Sequence, residues 1–103
     1  MWTKEDIDKV VKDNKLVVFA KGTKQQPMCG FSHRAIQVMD MVKQPFEVVN
    51  IFDDPSIRSA LLEYSGWPTT PQVFVNGELL GGSDIVMEMY ESGELQKKVG
   101  EGE

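Results

Sequence analysis

Cys29 is the only cysteine in the chain. It stands in Cys29-Gly30-Phe31-Ser32, after Pro27-Met28 and directly ahead of a stretch with the apolar spacing of an amphipathic helix. A helix start offers N–H groups without intrahelical partners and the positive end of the helix dipole. A thiol placed there is drawn toward thiolate, the form that attacks disulfides and binds metal. Ser32 occupies the second position of a Cys-x-x-Cys pair, so no disulfide can form within this motif. Any sulfur chemistry of Cys29 therefore takes its partner from another molecule.

Three further segments carry matching chemistry. Lys21 lies near the cysteine in sequence and stabilises a thiolate, and Thr70, before Pro71, offers a backbone N–H and C=O as an added strand would use them. In Gly82-Ser83-Asp84, a helix start at Ser83 can receive a carboxylate and Asp84 can hold an ammonium. Brought together, these groups suit an extended, zwitterionic peptide that carries a thiol. Glutathione has those features.

The elements that must position these residues follow from the apolar spacing. Thr3 and Asp6 resemble a capping box ahead of Ile7, Val10 and Val11, which predicts a helix to about Lys12. Leu16 to Ala20 reads as a buried central strand, and the polar run from Lys21 to Pro27 as a loop. Phe31, Ala35, Val38, Met39 and Val42 mark one inward helical stripe over Cys29 to Val42, ended by Pro45. Phe46 to Ile51 reads as a strand parallel to the first. Asp54-Pro55 caps a helix that carries Ile57, Leu61 and Tyr64 inward as far as Gly66. Trp67-Pro68-Thr69-Thr70-Pro71 is a stiff connector. Gln72 to Val75 and Glu78 to Leu80 then pair across an Asn76-Gly77 turn. Ser83 caps a further helix with Ile85, Val86, Met89 and Tyr90 inward, Gly93 stops it before a final turn, and residues 100–103 form a frayed tail. The order α-β-α-β-α-β-β-α, with a cysteine at the first strand–helix junction, predicts an α/β thioredoxin-type fold. Its four-stranded mixed sheet has the order 2-1-3-4, with helices on both faces.

Composition bounds the rest. At 103 residues and 41% hydrophobic content the chain makes one domain, residues 1–103. Eleven basic against sixteen acidic side chains give a charge of −5 without a basic cluster, which disfavours nucleic acid. The longest apolar run, Leu16 to Ala20, falls far short of the ~20 residues that span a bilayer. A single cysteine suits a reducing compartment: the cytoplasm, or the mitochondrial matrix or plastid stroma after loss of a targeting segment.

Lys21-Gly22-Thr23, Pro27 to Ser32, Trp67 to Gln72 and Gly81 to Ile85 closely resemble the monothiol glutaredoxins of the Cys-Gly-Phe-Ser class, over nearly the whole chain. The resemblance implies a glutaredoxin fold, glutathione bound beside the cysteine, and a homodimer that shares one [2Fe-2S] cluster, with a monomer as the apo form. On matching positions it implies Cys29 as catalytic residue and iron ligand, and Lys21 and Arg58 on the glycyl carboxylate. It further implies Thr70 on the cysteinyl backbone, Pro71 in cis, and Gly82, Ser83 and Asp84 on the γ-glutamyl end. It also implies a BolA-like partner and iron–sulfur recipient proteins. Ligand counting agrees: such a cluster takes four ligands, mostly thiolates, and one chain supplies only Cys29, with His33 its sole histidine. Two chains and two glutathione thiols complete the set, an arrangement that favours a carrier over a permanent redox centre.

Two positions depart from common family patterns. Thr70 stands where a bulky apolar residue is frequent, and Ser83 where some members carry a second cysteine, so no disulfide can link that position to Cys29. Taken singly, each site residue has an ordinary reading: a core cysteine, solvated Lys21 and Arg58, a capping Ser83, an Asp84 favoured at a helix start. His33 reads as solvated or helix-surface, Met87 and Met89 as packing, Trp67 as a core anchor partly exposed beside the connector, and Phe31, besides its place in the stripe, as scaffolding or partner surface. Besides cluster carriage, two functions compete: a weak thiol–disulfide oxidoreductase that removes glutathione from mixed disulfides through Cys29, and an interaction module for the BolA-like partner.

Overall fold

The computed structural model describes residues 1–101. Local signals at the starts of two helices act as the sequence predicts. Ahead of α1 (Lys4–Asp13), the Asp6 N–H donates to Thr3 Oγ1 and the Thr3 N–H donates to Asp6 Oδ2 at 2.8 Å, closing the capping box. Ahead of α3 (Pro55–Ser65), Asp54 Oδ1 accepts from the Ser56 N–H at 2.9 Å, and Pro55 fills the first helical position, where a missing N–H costs nothing.

Strands β1 (Leu16–Ala20), β2 (Glu47–Asn50), β3 (Gln72–Val75) and β4 (Glu78–Gly81) form one sheet in the order β2-β1-β3-β4. β1 pairs parallel with β2 and antiparallel with β3, and β3 pairs antiparallel with β4. The turn between β3 and β4 holds Asn76 at φ 51° and Gly77 at φ 83°, the left-handed pair that an Asn-Gly hairpin requires. Helix α2 (Gly30–Val42) follows β1, while α4 (Ser83–Ser92) and α5 (Glu94–Gly100) follow β4. No helix of the described residues is long and apolar enough to cross a membrane.

Alternation along the buried strands divides the core in two. Leu16, Val18, Ala20, Val73 and Val75 face one way, onto Ala35, Val38, Met39, Val86 and Leu95. Val17, Phe19 and Phe74 face the other way, onto Ile7, Val11, Ile57 and Leu61. The rings of Phe19 and Phe74 meet edge to face with centroids 5.6 Å apart, a favoured quadrupole geometry. The layers therefore hold the carboxyl end of β1 and the starts of α2 and α4 in fixed relation.

Several expectations are corrected. Phe31 and Ile85 share the helical spacing of inward residues yet are 59% and 43% exposed. Each lies in the first turn of its helix, where it lines a surface cavity instead of reaching the sheet. Gly82, not Ser83, is the N-cap of α4; Ser83 is the first helical residue and is buried. β2 is shorter than Phe46 to Ile51, β4 runs on to Gly81, and Gly93 is followed by a fifth helix. Of the expected frayed tail, Gly100 ends α5 and the Glu101 N–H donates to Lys97 O at 3.1 Å, while residues 102–103 lie outside the described residues.

Candidate functional site

The loop from β1 to α2 is folded back on itself, which brings Lys21 beside Cys29. The Met28 N–H donates to Lys21 O at 2.9 Å, and Gly22 bridges to Pro27. Gly22 sits at φ +100°, and a Cβ there would come within 2.5 Å of Gln26 O, so the fold-back needs glycine on both counts. Asn50, at the end of β2, accepts from the Gly22 N–H at 3.0 Å and the Phe52 N–H at 2.9 Å, tying the loop to the sheet.

Cys29 is the N-cap of α2, in extended conformation (φ −153°, ψ 138°), with its side chain half-buried. The sulfur closes no formal capping bond, yet it lies in the field of the first helical N–H groups. The Ser32 N–H foremost, then the Phe31 N–H, the Lys21 ammonium and the Ser32 hydroxyl hold the thiol below its ordinary pKa, against the upward push of burial. Ser32 itself is fully buried, and its Oγ accepts from the Lys21 N–H at 3.0 Å. The residue that replaces a second cysteine thus pins the strand end to the helix start.

Beside this junction opens a cavity of about 560 Å³. Lys21 and Phe31 line one side, Arg58 of α3 and the Trp67–Pro71 connector another, and Gly82, Ser83, Asp84 and Ile85 a third. Every residue assigned to glutathione by resemblance lines this one cavity except Cys29. The cysteine stands next to it, between Lys21 and Phe31, which do line it. The Thr70–Pro71 bond is cis. Trp67 is 43% exposed at the rim, and His33 is exposed on α2. Among the described residues, no group of three or more His, Cys, Asp or Glu side chains could hold a metal ion. Cys29 is the one thiol in the chain.

Two side chains that order this wall escape a reading of sequence motifs. Gln72, 1% exposed at the start of β3, donates from Nε2 to Trp67 O at 2.8 Å and to Thr69 O at 3.0 Å, holding the connector against the sheet. A polar residue at the head of a buried strand directly after Pro71 was the available signal. Arg34 of α2 donates from Nη1 to Asp84 Oδ1 at 3.2 Å. Fifty positions separate that pair, and no local pattern announces it.

A folded-back strand–helix junction with a single activated cysteine, a connector ending in a cis proline, and a cavity between them define the class. The glutaredoxin family model matches residues 16–80, and the chain belongs to the glutaredoxin family. Several of its relatives are named as monothiol members. It is 53% identical over 95 residues to the uncharacterized monothiol glutaredoxin ycf64-like of Synechocystis, covering 92% of this chain and 89% of that one. It is 46% identical over 96 residues to the chloroplastic monothiol glutaredoxin-S14 of Arabidopsis thaliana, covering 93% of this chain and 56% of that one. Among solved structures, reduced apo GrxS14 of poplar superposes with a TM-score of 0.83 at 49% identity, covering 95% of this chain and 90% of that one. A buckwheat glutaredoxin solved as its glutathione complex does so at 0.83 and 30% identity, covering 95% and 87%.

Proposed function

We propose that the cavity binds glutathione and that the chain, as a homodimer, carries a [2Fe-2S] cluster to iron–sulfur recipient proteins, with a BolA-like protein as a further partner. The observation that carries this reading is the convergence of Lys21, Arg58, Thr70, Pro71, Gly82, Ser83 and Asp84 on one cavity beside a lone, thiolate-favouring Cys29. Lys21 and Arg58 would take the glycyl carboxylate. The Thr70 backbone would pair with the cysteinyl residue, and the start of α4 would take the γ-glutamyl end. The ligand thiol would then lie near Cys29 Sγ, so that two chains and two glutathiones supply four thiolates. The solved glutathione complex of a buckwheat relative supports the ligand. The chloroplastic and bacterial relatives support the plastid stroma or the cytoplasm as its place. Anaerobic reconstitution with iron, sulfide and glutathione should give a coloured dimer from the wild type and colourless monomer from Cys29→Ser. A colourless wild type would remove the cluster reading.

The lowered pKa of Cys29 favours a second reading, a glutathione-dependent oxidoreductase. The Cys29 thiolate attacks the glutathionyl sulfur of a mixed disulfide, a Cys29–glutathione disulfide forms, and the substrate thiolate departs. A second glutathione thiolate then reduces that disulfide, releasing Cys29 thiolate and oxidised glutathione. Robust steady-state turnover of a glutathionylated peptide would place this reading first.

A further inference from the structure

Beside the cavity wall at the start of α4, outside the residues that line it, stands a cation that none of the sequence motifs includes. Arg34 lies in the second turn of α2, which packs alongside α4, and it reaches Asp84 Oδ1 at 3.2 Å. Asp84 lines the cavity. The two side chains are 52% and 73% exposed, so neither is spent in the pairing. A guanidinium has five N–H donors in a planar fork, and a carboxylate has several lone pairs on two oxygens; this bond uses one of each. Gly82, the N-cap of α4, supplies no side-chain cap, leaving the first N–H groups of that helix open beside the pair.

We propose that Arg34 and Asp84 act as one two-headed site for the γ-glutamyl end of the ligand, with Arg34 taking its α-carboxylate while Asp84 takes its α-ammonium. This deepens the glutathione reading and rests on it. A γ-linkage leaves ammonium and carboxylate on the same carbon, whereas an ordinary peptide N-terminus presents the ammonium alone. A wall that offered only Asp84 would accept either. The adjacent guanidinium repels an ammonium that arrives without its carboxylate and attracts one that brings it. Arginine suits the task because its fork can keep Asp84 on one N–H and offer others to the ligand. Arg34 is on this account a specificity-determining residue, selecting γ-linked over α-linked peptides.

Calorimetric titration at low salt tests this with wild type, Arg34→Ala and Arg34→Lys. The two ligands are glutathione and 4-aminobutyryl-cysteinylglycine, which lacks the α-carboxylate. Arg34→Ala should weaken glutathione binding about three- to tenfold, the range for a charge-assisted contact at a half-exposed site. Arg34→Lys should recover part of that loss, and the analogue, whose ammonium arrives alone, should bind Arg34→Ala at least as tightly as wild type. An equal loss for both ligands would overturn the proposal, since Arg34 would then only support the wall. Glutathione binding to Arg34→Ala as tight as to wild type, or tighter, would overturn it too, since the guanidinium would merely occupy Asp84. Failure of wild type to bind glutathione would overturn the functional reading and this proposal together, whereas binding without dependence on Arg34 overturns this proposal alone.

Discussion

Ser32 was legible in the sequence only as a missing sulfur; in the fold its hydroxyl accepts from the Lys21 N–H while its own N–H faces Cys29. Ser32→Ala leaves a Lys21 N–H without that partner and should cost about 1–3 kcal/mol in denaturant unfolding. It also removes one of the groups that favour the thiolate. The pH midpoint of Cys29 alkylation, which should lie below that of an ordinary thiol in the wild type, should therefore move up in Ser32→Ala and in Lys21→Ala. Because folding lowers this pKa, Cys29 contributes stability at pH above its unfolded value and loses it as pH falls through the folded one. Thr70 carries the opposite kind of lesson. Its Oγ1 is buried without a hydrogen-bond partner among the described residues. Thr70→Val, which replaces that hydroxyl by a methyl of similar size, should stabilise the protein by about 1 kcal/mol in thermal or denaturant unfolding.

Among the elements, those whose boundaries rest on local chemistry were readable. The capping box of α1, the Asp54-Pro55 start of α3 and the Asn76-Gly77 turn each lie within a few residues, so sequence and structure agree there. Phe31 and Ile85 were misread because helical spacing identifies a stripe but does not say whether anything packs beneath its first turn. The hydrogen bonds of Gln72 were hidden for a related reason: its partners lie in a connector whose path only the tertiary fold decides. Docking of α1 on α3 is another such contact. The Tyr64 hydroxyl donates to Asp8 Oδ1 at 2.7 Å, and desolvation with the nearby carboxylate pushes Tyr64 up to about 12. Folding raises this pKa, so the contribution of Tyr64 is complete below its ordinary value of 10.0 and is lost as pH rises through about 12. Asp8 has its pKa lowered, so its contribution is lost instead as pH falls below 3.8 through the folded value. Tyr64→Phe should cost about 1 kcal/mol near neutral pH, and the difference from wild type in denaturant midpoint should shrink in strong alkali.

For the whole molecule, the sheet order follows from the succession of elements, and that order explains why four segments distant in sequence meet. The parallel β1–β2 pair with the antiparallel β3 brings the end of β1, the start of α2 and the head of β3 to one end of the sheet, and β4 returns the chain there for α4 to begin. A site beyond the carboxyl ends of the parallel strands, here β1 and β2, is the usual outcome of such layering. Most residues on the cavity lie in contiguous motifs and were legible for that reason; the pairing of Arg34 with Asp84 was not, because it depends on two helices lying side by side. The central claim concerns sulfur supply: one thiolate per chain, completed by glutathione and a second copy. Native mass spectrometry of the anaerobically reconstituted protein tests it most directly. The account predicts a species of two chains, two glutathiones and one [2Fe-2S] cluster, lost together when glutathione is omitted. A cluster held by a single chain, or by two chains without glutathione, would contradict it.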